Sequence, residues 1–99
     1  MSVVVVNRLH LSVPVDEIVP RVGEAFPRAF DGIDGFERFE LVKVAEDRAV
    51  VLIRWRDAVA AQAGAAVIGP TVLRELIAPV LASEQDRVAG SVVVSHPTD

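Results

Sequence analysis

An α+β domain, with one four-stranded antiparallel sheet and helices on one face of it, is what this sequence predicts on three observations. β-Branched and apolar residues recur with strand-like patterning in four stretches, Val3 to Leu11, Phe36 to Val44, Ala49 to Trp55 and Arg87 to Ser95. Apolar residues at helical spacing fill the intervals after the first and third stretches. Only Ala45-Glu46-Asp47-Arg48 separates the middle two, which makes them a hairpin. The order is strand, helix, strand, strand, helix, helix, strand. Two split βαβ units with right-handed crossovers then give ferredoxin-like connectivity.

In the first strand Val3, Val5, Asn7, Leu9 and Leu11 share one face, and Val4, Val6, Arg8 and His10 share the other. The first face is the drier one, and Asn7 is its polar exception. After Pro14, apolar residues from Ile18 to Phe30 form one helical face, with Asp16 as the expected N-cap and Glu17–Arg21 and Glu24–Arg28 as i,i+4 pairs. Pro20 suits a first turn, whereas Pro27 predicts a kink or early break because an interior proline removes a hydrogen bond. Asp31-Gly32 and Asp34-Gly35 mark a turn-rich loop. Asp57 is expected to cap an alanine-rich helix ending near Ile68. Gly69-Pro70 should break that helix, and Thr71 should cap a second short one carrying Val72, Leu73, Leu76, Ile77 and Val80. His96 to Asp99 read as a frayed tail. With 99 residues, the chain is expected to be a single domain over 1–99.

Composition narrows the function. Ten basic and fourteen acidic residues leave a net charge of -4, which disfavours nucleic acid and anionic membranes as partners. Tyrosine is absent and aromatic residues make up 5%, so little is available for base stacking. Without cysteine there are no disulfides, thiolate nucleophiles or cysteine metal sites. No histidine pair has metal-ligand spacing, and neither a Gly-rich phosphate loop nor a Ser/His/Asp arrangement can be argued; no metal site is expected. The apolar opening is interrupted by Asn7, Arg8 and His10 well short of the roughly 18 residues of a membrane span. It also lacks the basic n-region and cleavage site of a signal peptide, so a cytoplasmic location is expected.

A hydrophobic fraction of 52% is high for so short a soluble chain. Val4, Val6, Val42, Val44, Val50 and Leu52 alternate onto the sheet face away from the helices. That face needs a cover. The sheet of a second copy supplies one, giving a homodimer that closes as a dimeric α+β barrel. Glu40 and Arg54, near the middle of paired strands, are expected to form an ion pair inside it. The acidic clusters Glu46-Asp47 and Glu84-Gln85-Asp86 read as solvated turns.

The stretch Gly35-Phe36-Glu37-Arg38-Phe39-Glu40-Leu41, followed by Val50-Val51-Leu52-Ile53-Arg54-Trp55 with the only tryptophan, resembles the central hairpin of the antibiotic biosynthesis monooxygenase superfamily. Gly35, Phe36, Phe39, Glu40, Leu41 and Trp55 carry the match, and nearly the whole chain follows the pattern. The resemblance implies a dimeric α+β barrel with an apolar cleft between sheet and helices. For an enzyme, it implies cofactor-free oxygenation of an electron-rich phenol or hydroquinone, with no metal needed. Asn7 matches a first-strand asparagine that haem-degrading relatives place in their pocket. Those relatives also carry a helix tryptophan and an iron-ligating histidine, and alignment on Gly69-Pro70 puts Ala66 and Glu75 near those positions. Haem degradation is therefore not expected. Polyketide-oxidising relatives use pocket Asn, Trp and Tyr groups, and this chain has no tyrosine. A non-catalytic module binding a small apolar or aromatic ligand is the alternative to an oxygenase.

Asn7 is thus the candidate catalytic residue, hydrogen-bonding a substrate oxygen, or else a core asparagine satisfied by nearby backbone. Leu9, Phe26, Phe30, Phe39 and Trp55 are the candidate substrate-binding residues, each with a plain packing role as its alternative. His10 shares a face with Arg8, which argues against a ligand or base role. No general base is identifiable.

Overall fold

In the computed structural model, which describes residues 1–97, the strands β1 (Val3–His10), β2 (Phe36–Ala45), β3 (Arg48–Trp55) and β4 (Asp86–Ser91) form one antiparallel sheet in the order β2-β3-β1-β4. This is the α+β, ferredoxin-like arrangement. Thr98 and Asp99, the end of the expected tail, lie outside the described residues. Helices α1 (Val15–Phe30) and α2 (Ala58–Ile68) pack on the face that carries Val3, Val5, Asn7 and Leu9 of β1 and Val51, Ile53 and Trp55 of β3. Strand alternation and helical periodicity therefore converge on one core.

Three local expectations are corrected. Asp16 is not the N-cap of α1: Pro14 holds that position without a side-chain cap, and Asp16 instead pairs with Lys43 Nζ at 3.0 Å. The start is set by Val15, which is fully buried and whose N–H donates to the Glu46 carbonyl at 2.6 Å. Pro27 does not break α1, which runs on to Phe30. Phe26 and Phe30 on either side of it are locked in the core, which holds the helix together across the proline. Gly69-Pro70 does not end α2 either. Gly69 stays right-handed helical (φ -55°, ψ -54°), and the chain widens into a π-helical segment, Gly69–Ile77, followed by a 3-10 turn, Ala78–Val80. Pro70 has no N–H to offer the preceding turn, while Thr71 Oγ1 donates to the carbonyls of Val67 (2.9 Å) and Ile68 (3.2 Å). By length and composition the continuous run Ala58–Val80 could cross a membrane. Here its Ala60, Ala61, Gly64, Ile68, Val72 and Ile77 are buried in the domain core.

The opposite sheet face stays open. Val4, Val6, Val50 and Leu52 are half-buried there, and Val42 and Val44 are exposed. Glu40 and Arg54 do not pair. A bulge between Phe36 and Arg38 shifts the register so that Arg38 stands opposite Arg54 and Glu40 opposite Leu52. Arg54 pairs with Glu37 at 3.4 Å and Arg38 with Glu40 at 3.0 Å.

Candidate ligand site

Asn7 sits midway along β1, a central strand, opposite Val51 of β3 and Arg87 of β4. Its side chain is on the helix-covered face and the residue is 3% exposed. The Asn7 Oδ1 atom is buried and accepts no hydrogen bond among the described residues; the same is true of Gln85 Oε1. Both residues line one small, partly open cavity of about 50 Å³. Its apolar wall is Val5, Ile53, Trp55, Ala65, Ile68 and Leu73, and Arg87 completes the lining. A buried acceptor left unpaired costs roughly 1–3 kcal/mol, and both such atoms belong to residues of this one cavity lining.

Trp55 is positioned by close contacts. Phe30 and Phe36 meet its ring edge-on, at centroid distances of 6.1 and 5.8 Å. Helix α2 crosses it at Gly64, where an added Cβ would overlap the indole. A residue without a side chain is what lets the helix lie that close.

Of the six residues singled out from the sequence, Asn7 and Trp55 come together at this cavity. Leu9, Phe26, Phe30 and Phe39 do not line it. Leu9, Phe26 and Phe30 are buried in the core, and Phe39 packs against Phe26 and Phe30 at 4.9 and 5.4 Å. Phe30 and Phe39 also line an open depression with Pro27, Ile33 and Phe36, beside the loop leading into β2. Gln85 and Arg87 were not singled out, and the cluster Glu84-Gln85-Asp86 is not wholly a solvated turn, since the Gln85 oxygen is buried. The signal was available in strand alternation. With β4 beginning at Asp86, residues 85 and 87 fall on the side of Asn7, the cross-strand neighbour of Arg87.

The cavity lining contains no carboxylate and no histidine. His10 lies on the other sheet face, its Nε2 3.3 Å from Asp47 Oδ2. Among the described residues no group of three or more His, Cys, Asp or Glu side chains could hold a metal ion. Ala66 and Glu75 are exposed on the helical run. Perturbed carboxylates occur elsewhere, where the loop before β2 meets the start of α2. Hydrogen bonds from Arg56 at 3.1 Å, with its charge, hold the Asp34 carboxyl below its ordinary range. The Asp57 carboxyl is lowered first by the Ala60 N–H that it caps, at 2.8 Å, and then by Arg56. That cluster fastens the fold and does not face the cavity.

Fold and cavity together define a ferredoxin-like α+β protein with a small cavity between the sheet and its second helix. No family model matches the chain, and no curated protein matches it in sequence. Solved structures do. A Nitrosomonas europaea protein of unknown function, NE2512, superposes with a TM-score of 0.79 at 14% identity, covering 99% of this chain and 95% of that one. A variant of SnoaB, a cofactor-independent oxygenase from Streptomyces nogalater, gives 0.74 at 22% identity over 98% of both chains. A variant of MhuD, with two manganese protoporphyrin IX molecules bound per active site, gives 0.72 at 21% identity over 94% of this chain and 96% of that one. At these identities the likeness establishes a shared fold. It is the fold implied by the resemblance to the antibiotic biosynthesis monooxygenases.

Proposed function

We propose that this protein is a cofactor-independent oxygenase of a phenol- or hydroquinone-type substrate, working as a cytoplasmic homodimer. The observation that carries the reading is the pair of buried, unpartnered amide oxygens on residues that line one largely apolar cavity beside Arg87. The substrate hydroxyl donates to Asn7 Oδ1; once its proton has left, the Asn7 amide turns to donate an N–H to the phenolate, which Arg87 of the same lining favours over the phenol. The phenolate passes one electron to dioxygen, and the resulting radicals combine at a ring carbon. Loss of water then leaves a carbonyl. The balance is phenol plus O₂ giving quinone plus H₂O, with dioxygen as the only oxidant. Val5, Ile53, Trp55, Ile68 and Leu73 supply an apolar wall that keeps water from the reactive anion. With no base in the lining, the phenolic proton leaves to solvent.

Incubation with 1-naphthol under ¹⁸O₂ tests this. The expected product is 1,4-naphthoquinone with one labelled oxygen, formed by the wild type and not by Asn7→Val; consumption of naphthol by neither protein would overturn the reading. The absence of an acid or base in the cavity lining favours one second reading, a module that binds such ligands without reaction. Binding without oxygen uptake would support it.

A further inference from the structure

The open depression where the C-terminal end of α1 meets the start of β2 has a volume of about 470 Å³ and shares no lining residue with the cavity at Asn7. That volume is in the small-ligand range of roughly 300–1,000 Å³. Phe36 and Phe39 stand opposite Trp55 and Ile53, which puts the depression on the helix side of β2, away from the open sheet face. Phe30 stacks on Phe36 at 4.6 Å and meets Phe39 at 5.4 Å, so three rings bound one space, and Phe36 and Phe39 are only half-buried beside it. The charged part of the lining is Asp31, Glu37 and Arg38. Arg38 is committed to Glu40 at 3.0 Å, and Glu37 to Ser2 at 2.7 Å and Arg54 at 3.4 Å. Asp31 makes no side-chain hydrogen bond or ion pair among the described residues. It is the C-cap of α1, where the helix presents its own negative end, and Arg28, the base of the last turn, is turned to Glu24 at 3.5 Å. An acid at that end opposes the helix dipole, and no cation of the described residues pairs with it.

We infer that this depression binds a small organic cation of the trimethylammonium class. Aromatic rings attract a cation through their quadrupole, and the Asp31 carboxylate and the end of α1 add a field of the same sign. A primary ammonium leaving water needs acceptors for three N–H groups, which this largely apolar lining is poor in; a quaternary head has none to satisfy. An anion meets Asp31 and Glu37 with Arg38 already neutralised by Glu40, and an uncharged ligand gains only the apolar contact. The inference is independent of the oxygenase reading.

The test is NMR titration of the full-length, ¹⁵N-labelled protein with choline and with its uncharged isostere 3,3-dimethylbutan-1-ol, at constant ionic strength. Choline is expected to shift the amides of residues 31–33 and 36–39 saturably and to bind about tenfold more tightly than the alcohol, the scale of a desolvated cation–π contact. Asp31→Asn, at an exposed position that leaves the core untouched, should remove most of that difference, and Asp31→Glu should keep it. Equal affinity for the two probes, an unchanged ratio in Asp31→Asn, or no saturable shift with choline in the folded wild type would overturn the inference. Phosphatidylcholine vesicles carry the same head group and separate its two sources: the protein is expected to stay in the supernatant when they are sedimented. Cosedimentation would put the group on a lipid and overturn the assignment to a small molecule.

Discussion

Gly64 and Trp55 form the tightest steric constraint near the cavity. Gly64→Ala places a methyl group inside the indole ring, so α2 or Trp55 must move; overpacking of this kind typically costs about 1–3 kcal/mol. Urea unfolding reads the loss, and the emission of the single tryptophan should shift with it. The two polar residues of the cavity differed in legibility. Asn7 announced itself because a polar side chain interrupts an apolar alternation in a strand whose register is fixed by that alternation. Gln85 sits between two acids in a stretch that any composition-based reading assigns to a solvated turn. Its burial depends on where β4 begins, and strand ends are poorly specified by local pattern. The phenylalanines were ambiguous for another reason. Helical spacing says that Phe26 and Phe30 face inward, but not whether the inside is core or cavity.

At the scale of elements, the cluster of Asp34, Arg56 and Asp57 ties the loop before β2 to the start of α2. The Gly35 carbonyl accepts from Arg56 N–H at 2.7 Å and reinforces the tie. Both carboxyls titrate below their ordinary value of 3.8 in the folded protein. The sign follows: a lowered folded pKa favours the folded state above the unfolded pKa. This contribution is whole at neutral pH and fades as pH falls through 3.8 towards the lowered values. Arg56→Met should therefore reduce the melting temperature at pH 7 and make it fall less steeply below about pH 4 than in the wild type. Identical slopes in thermal scans at pH 3, 4 and 7 would contradict the assignment. Most elements were legible, because hairpin and periodicity agreed; the Asp57 cap formed as read, whereas those expected of Asp16 and Thr71 did not. The two prolines misled because their cost depends on neighbours. Pro27 is held within α1 by the buried Phe26 and Phe30, and past Pro70 the helical run continues as a π-helical segment in which Thr71 Oγ1 donates to the Val67 and Ile68 carbonyls.

For the whole molecule, the open sheet face sets the main expectation. Val4, Val6, Val42, Val44, Val50, Leu52 and Val88 lie on the helix-free side, interleaved with the Arg38–Glu40 and Arg54–Glu37 pairs, and Val44 and Val88 are 62% and 57% exposed. Among the described residues no element covers them. Light scattering should give about twice the 10.6 kDa chain mass at micromolar concentration. Placing a charge at the centre of the face, as in Leu52→Lys, should shift the equilibrium to monomer and lower the melting temperature. A wild-type monomer of full stability would contradict the barrel.

The central claim is that the buried amide of Asn7 exists to meet a ligand and not to hold the core together. Urea denaturation of the wild type and Asn7→Val, without ligand, tests it most directly. An unpaired Oδ1 contributes nothing to the empty fold, so its removal should leave stability unchanged or raise it by about 0.5–2 kcal/mol, while binding of 2-naphthol collapses. A loss of roughly 1–3 kcal/mol in the ligand-free protein would mean that Asn7 satisfies backbone groups in the core, and would contradict the site.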